Sequence, residues 1–199
     1  MQTGSEQLAL WRSDFGAAYT DRNDRDQSVR LYAWRRLLEG VHPQATLEVG
    51  CNVGWNLVYL ERLGLRGVRG VEPQAVAVAT ARSRDLDVVQ GTAFALPFVD
   101  GAFELAFTSG VLIHISPGAI GAALDEIYRV SSRWIAAIEY DDPVEQEVAY
   151  RGHAGALWKR DHAALWRTRH PDLRVVRSLR LGAAEGYDDC TAHLFEKVR

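Results

Sequence analysis

Apolar and polar positions change their period many times along this chain, and each change marks a boundary between predicted elements. Residues 45–50, 67–72, 87–90, 103–108 and 134–140 are short apolar-rich runs bounded mostly by glycine or charged residues. They predict buried strands. Between them apolar residues recur at helical spacing. Residues 29–38 repeat in this way and stop near Gly40; residues 54–63 continue until Gly64. Pro73 stands at a favoured first helical position and predicts a helix running to about Arg84. Ser116-Pro117 reads as an N-cap followed by a first-turn proline, opening a helix to about Val130. A last helix spans residues 161–169 and is ended by Pro171. Residues 173–179 and 191–198 are two further strands, predicted to pair antiparallel at one sheet edge.

Strands alternating with helices of this length predict an α/β fold: a doubly wound, seven-stranded, mostly parallel sheet with its last strand antiparallel. Residues 1–40 are expected to form a helical cap, and residues 41–199 the domain that carries the sheet. Trp11, Phe15 and Tyr19 lie four apart, which places them on one helical face packed over that domain. Sheets of this kind bind ligands beyond the carboxyl ends of their strands, where strand order reverses.

Composition narrows the picture. The chain has 199 residues, 47% of them hydrophobic and 25% charged, as in an ordinary globular domain. Its net charge of −3 supplies no cationic field for nucleic acid or an anionic membrane. Cys51 and Cys190, far apart in sequence, suggest neither a disulfide framework nor a metal cluster. The first ten residues lack the basic and apolar regions of a signal peptide, and no apolar stretch approaches membrane-spanning length. These features lead us to expect a reduced, cytoplasmic protein with no metal and no nucleic-acid or membrane partner. The oligomeric state is left open, a homodimer being one option.

Candidate chemistry gathers at the predicted strand ends. Glu48-Val49-Gly50-Cys51-Asn52-Val53-Gly54 forms the first strand-to-helix turn, where glycines allow a tight turn and close approach of a ligand. Its glycines are four apart, unlike the G-x-G-x-x-G dinucleotide fingerprint. Asn52 stands where a further glycine could, and asparagine tolerates a positive φ. Glu72 ends the second strand, about where an acidic residue holds a ribose hydroxyl pair. Equally, it could cap the helix after Pro73. His114 reads as a structural hydrogen-bonder or as a general base near neutral pH. Glu139 and Tyr140 close strand five, as candidate catalytic groups or as part of a solvated loop before Pro143. Residues 151–180 carry six more basic than acidic side chains, and Arg151, Lys159 and Arg160 are the candidates for an anion site.

The segment from Glu48 to Tyr140 resembles the class I S-adenosylmethionine-dependent methyltransferases. It carries a variant of their [DE]-x-G-x-G-x-G turn, a Leu96–Phe107 stretch like theirs before strand four, and Gly110-Val111-Leu112-Ile113-His114-Ile115 after it. More narrowly, the chain resembles methylases associated with pseudaminic acid and related surface-polysaccharide pathways. That match rests on Phe15-Gly16 with Tyr19, Arg22-Asn23, Gly50-Cys51-Asn52-Val53-Gly54-Trp55-Asn56, Val111-Leu112-Ile113-His114-Ile115, Ile127-Tyr128-Arg129, Tyr150-Arg151-Gly152 and Lys159-Arg160-Asp161. The resemblance implies S-adenosylmethionine as cofactor, with S-adenosylhomocysteine as product. Glu48, Gly50, Cys51, Asn52, Gly54, Trp55 and Asn56 would surround its methionine end. Glu72 would bind the ribose, and Pro73 with Thr92, Ala93 and Phe94 would flank the adenine. Thr92 stands where relatives often carry an acidic residue. Ser109, Gly110 and His114 would lie between cofactor and acceptor, with Tyr19 closing the acceptor side.

On this reading the chain methylates a small, anionic metabolite such as a sugar, sugar nucleotide or amino-acid-like acceptor. Three alternatives stay open: a protein or nucleic-acid methyltransferase, a non-catalytic binder of the same cofactor, and a nicotinamide-dependent oxidoreductase. The glycine spacing argues against the last.

Overall fold

The computed structural model describes residues 4–198. Its central sheet has seven strands: β1 (Thr46–Val49), β2 (Val68–Glu72), β3 (Val88–Gln90), β4 (Phe103–Ser109), β5 (Ser131–Glu139), β8 (Leu173–Leu181) and β9 (Cys190–Lys197). Their spatial order is β3-β2-β1-β4-β5-β9-β8, and β9 alone runs antiparallel to its neighbours. β1 is buried along its whole length, as expected of a central strand covered on both faces.

One face is covered by α3 (Arg30–Leu37), α4 (Trp55–Arg62) and α5 (Ala75–Arg82), which bury Trp34, Leu57, Leu60 and Val78. The other is covered by α6 (Ile120–Val130) and α7 (His162–Arg169), which bury Leu124, Ile127 and Trp166. These two apolar layers hold the sheet between them. Strand order reverses between β1 and β4, so Gly50 and Gly110 sit at the switch point. There the N–H groups of Gly50 and Cys51 both donate to the Val71 carbonyl, at 2.7 and 3.1 Å, which bends the chain sharply off β1.

Several boundaries differ from those expected. Trp11, Phe15 and Tyr19 do not share one helix, because Ser13 ends α1 (Gly4–Arg12) and caps α2 (Asp14–Asn23) by accepting from the Phe15 N–H. The two helices meet at Gly16, where a Cβ would lie 1.9 Å from the Trp11 carbonyl oxygen. The three rings still converge: Trp11 lies 5.4 Å from Phe15 and 5.1 Å from Tyr19, centroid to centroid. Pro73 lies before its helix rather than in the first turn. Gln74 is the cap, its side chain accepting from the Val76 N–H. α6 starts at Ile120 after a turn in which the Ser116 carbonyl accepts from Ala119 and Ile120. β5 starts at Ser131, directly after α6. A small hairpin of β6 (Gln146–Glu147) and β7 (Trp158–Lys159), unforeseen in the sequence, overhangs the carboxyl end of β5.

Candidate active site

A cavity of about 560 Å³ opens beyond the carboxyl ends of β1, β2, β4 and β5, under α1 and α2. Most of the residues singled out in the sequence line it: Tyr19, Glu48, Gly50, Cys51, Asn52, Trp55, Asn56, Glu72, Pro73, Thr92, Ala93, Phe94, Ser109, Gly110, His114, Tyr140 and Arg151. Gly54, Glu139, Lys159 and Arg160 do not.

The turn after β1 takes its shape from backbone conformations that ordinary residues avoid. Gly50, Asn52 and Gly54 have φ of 78°, 49° and 82°. Glu72 fixes this turn to the next one, because its two carboxylate oxygens accept from the Asn52 N–H at 2.9 Å and the Gln74 N–H at 2.8 Å. Glu72 thus organises the backbone of both turns, and lone pairs on its oxygens are left unused by these two bonds. Gly54 shapes the site from behind, since a Cβ there would meet Leu86 at 2.4 Å.

Glu48 is buried at the base of the cavity. The Trp34 indole N–H donates to Asn56 Oδ1, which orients that amide so that its NH₂ donates to Glu48 Oε1 at 2.7 Å. Glu48 Oε2 is buried and has no partner within the protein. Burial pushes the Glu48 carboxyl up to about 8, so it is largely protonated near pH 7. Asn52 Oδ1, Gln27 Oε1 and two guanidinium nitrogens of Arg22 are also buried, unpaired, and carried by residues of the cavity wall. Arg30 lines the same end, its Nε donating to the Gly186 carbonyl and its guanidinium lying 4.4 Å from the Tyr187 ring centroid. Cys51 is buried, and desolvation raises its thiol well above the ordinary range, which suits packing better than nucleophilic chemistry. Thr92 uses its hydroxyl to accept from the Phe94 N–H within its own turn.

His114 ends a single 3₁₀ turn, Leu112–His114, after β4. Its Nδ1 lies 2.7 Å from the Ala156 carbonyl. A carbonyl only accepts, so Nδ1 carries the proton and Nε2 keeps a lone pair. Burial lowers this imidazole to about 4, leaving it neutral near pH 7.

Two expected site residues have a different task. The Glu139 carboxylate points away from the cavity and accepts from the backbone N–H groups of Val111, Leu112 and Ile113 at 3.2 to 3.3 Å. Arg160, 2% exposed, donates to the carbonyls of Leu112 and Ile115 at 2.9 and 2.7 Å, with Glu145 as its ion partner. One side chain thus holds the N–H groups of the His114 turn and the other its carbonyls. Neither is available to an acceptor. Lys159 pairs within the hairpin and lies near the Tyr140 ring, outside the cavity. Tyr140 reaches the wall, but its hydroxyl donates to Asp188 at 2.5 Å, and burial together with Asp188 holds its proton firmly.

Sequence reading missed several wall residues. Gln7 donates to the His114 carbonyl at 2.7 Å and accepts from the Ser116 N–H at 2.8 Å, fastening α1 to the site. Gln74 donates to the Trp11 and Ser13 carbonyls and fastens the α1–α2 junction. Arg22, Gln27, Arg30, Tyr150 and Tyr187 also contribute. Among these, Arg22 and Tyr150 lay in segments that carried the narrower family resemblance.

Residues 47–133, somewhat under half of the chain, match the family described as methyltransferase domain. No curated protein sequence matches the chain. Among solved structures it resembles the 1,6-didemethyltoxoflavin-N1-methyltransferase of Burkholderia thailandensis, with bound 1,6-didemethyltoxoflavin and S-adenosylhomocysteine. The TM-score is 0.77 at 21% identity, covering 100% of this chain and 92% of that one. A SAM-dependent methyltransferase from Aquifex aeolicus is similar with TM-score 0.67 and 18% identity, covering 91% and 98%. One from Thermotoga maritima has TM-score 0.64 and 19% identity, covering 96% and 99%. Residues 47–133 thus match a methyltransferase domain, and the chain as a whole shares the fold of these S-adenosylmethionine-dependent methyltransferases.

Proposed function

We propose that the protein transfers a methyl group from S-adenosylmethionine to a small, negatively charged metabolite bound beside His114. The observation that carries this reading is the set of buried, unpaired polar atoms in the cavity wall. Glu48 Oε2, Asn52 Oδ1 and Gln27 Oε1 are acceptors suited to an ammonium group; the Arg22 nitrogens, with Arg30 nearby, are donors suited to a carboxylate. Together they complement an amino-acid zwitterion, the end that the methionine part of the cofactor presents. Glu72 would take the ribose hydroxyls, and Pro73 with the Thr92–Phe94 turn would flank the adenine. The Thr92 hydroxyl, which accepts from the Phe94 N–H and keeps one lone pair, and nearby backbone groups are left to meet the adenine amine.

When bound, the cofactor supplies an activated methyl group on a sulfonium. This chain's residues then align the acceptor, exclude water and receive a proton. Alignment accounts for much of the acceleration, because the leaving group is already good. Of the expected cap, residues 1–40, α1 and α2 cover the cavity in this reading while α3 belongs to the core, and residues 1–3 lie outside the described residues.

The acceptor is read as small because α1, α2 and the Tyr150–Arg151 loop cover part of the cavity. The Burkholderia enzyme, similar over its length, acts on a small molecule. The anionic character rests on Arg151, with Arg25 in the same wall. The narrower likeness to surface-polysaccharide methylases adds sugars, sugar nucleotides and amino-acid-like acceptors as classes to screen.

Glu48 yields a direct test. At pH 7 its carboxyl holds a proton in the free protein, whereas an ammonium beside Oε2 favours the ionised form. Binding of S-adenosylhomocysteine is therefore expected to release most of one proton at pH 7. Affinity should rise with pH by up to about tenfold per unit until it levels near pH 8. Calorimetry in two buffers of different ionisation enthalpy reads the proton count, and Glu48→Gln should abolish the release. Proton uptake, or unchanged release in that variant, would remove Glu48 from the ammonium site.

A further inference from the structure

Building on the methyl-transfer reading, we infer that the acceptor is a flat, unsaturated ring bearing an N–H or O–H, rather than a polyhydroxylated sugar. The acceptor end of the cavity is walled by Trp11, Tyr19, His114 and Tyr150. Their rings form one connected surface. Trp11 and Tyr150 stand 4.6 and 5.1 Å from the His114 ring, and Tyr19 stands 6.4 Å from it, centroid to centroid. Phe15 backs this surface from behind, against Tyr150 and His153. Tyr150 is presented by a tight turn in which Arg151 and Gly152 both take left-handed backbone conformations, φ 51° and 82°. Faces and edges of aromatic rings are complementary to another planar ring.

Polar groups at this end make the same choice. A sugar brings many hydroxyls, and each one buried without a partner weakens binding. Several side chains that could receive them are already engaged. Both ends of the Gln7 amide are bonded to the His114–Ser116 backbone, Glu139 and Arg160 hold the His114 turn, and Tyr140 is tied to Asp188. His114 Nε2, Arg151 and the phenol hydroxyls of Tyr19 and Tyr150 line this end. That small set, mounted on aromatic rings, suits a ring with a single ionisable N–H or O–H and one negative substituent better than a sugar's full set of hydroxyls.

Transfer then balances simply. The acceptor's N–H or O–H bond breaks toward His114 Nε2, and its electron pair forms the bond to the methyl carbon. The sulfur–methyl pair stays on sulfur, and the imidazolium later returns its proton to solvent. A weak base suffices here, because the acceptor atom becomes strongly acidic as the new bond forms.

The test uses the full-length protein already saturated with S-adenosylhomocysteine, so that failure of cofactor binding is seen first and separately. Planar ring carboxylates (benzoate, nicotinate and orotate) are titrated against the non-planar carboxylates glucuronate and galacturonate, matched in charge. At least one ring carboxylate is expected to bind tenfold or more tightly than either sugar acid. Tyr150→Ala should erase that preference and Tyr150→Phe should keep it. Equal or tighter binding of the sugar acids, no binding of any ring carboxylate, or a preference that survives Tyr150→Ala would overturn the inference.

Discussion

Glu139→Ala is expected to cost about 3 kcal/mol or more of stability and to lower the melting temperature by roughly 6–12 °C. The buried carboxylate satisfies three backbone N–H groups, of Val111, Leu112 and Ile113. Each would be left buried and unpaired, at about 1–3 kcal/mol apiece. For a domain of this length 1 kcal/mol corresponds to roughly 2–4 °C. Glu139→Gln should fall between the two, because Oε1 can still accept from Val111 and Leu112 while an NH₂ group opposes the Ile113 N–H. Thermal unfolding of the three proteins decides the matter. A catalytic carboxylate would give the opposite pattern, a normally stable protein that has lost turnover.

Gly50→Ala is expected to weaken S-adenosylhomocysteine binding by at least tenfold, with a smaller loss of stability. Two effects combine at this residue. Its φ of 78° is a left-handed conformation that costs an L-residue about 1–2 kcal/mol. The new Cβ would also stand 2.5 Å from a methyl of Val111, the residue that leads into the His114 turn. Either the first loop or the β4 loop must move, and both face the cavity. Adding Val111→Ala removes the clash but not the backbone strain, so the double variant should recover part of the affinity and not all of it. Calorimetric titration of the three proteins reads this. Full recovery would mean that the strained conformation is unimportant, and no loss in Gly50→Ala would mean that the turn does not hold the ligand.

The parts of this molecule that sequence made legible are those whose chemistry is local. The strand-turn-helix from Glu48 to Trp55 and the carboxylate at Glu72 are defined by neighbours a few residues away, and they lie where expected. Seven strands and their partition into parallel and antiparallel followed from the alternation of short apolar runs with helices. Helix starts were less legible, because a cap is chosen by competition among adjacent residues: Gln74 displaced Pro73, and Ser13 broke what four-residue spacing suggested was one helix. The side chains around His114 were the hardest. Glu139 and Arg160 end their segments like residues that face a ligand, and nothing in the sequence distinguishes a carboxylate aimed at a cavity from one aimed at a backbone turn nearly 30 residues away. Gln7 and Arg30 depend on contacts across more than 100 residues, to His114 and Gly186, which no periodicity encodes. The basic excess of residues 151–180 was likewise ambiguous. Arg151 reaches the cavity, Arg160 clamps a turn, and Arg169 and Arg174 make exposed ion pairs with Asp125 and Glu196 of the kind worth little at the surface.

The central claim is that the cavity at the switch point is built for S-adenosylmethionine and that Glu72 holds its ribose. Titrating S-adenosylhomocysteine into the wild-type protein and Glu72→Ala, with nicotinamide adenine dinucleotide as the control ligand, tests both parts at once. The account predicts micromolar binding of S-adenosylhomocysteine, none of the dinucleotide, and at least a tenfold loss in Glu72→Ala, a difference of about 1.4 kcal/mol. Binding of the dinucleotide without S-adenosylhomocysteine, or equal affinity in wild type and Glu72→Ala, would contradict it.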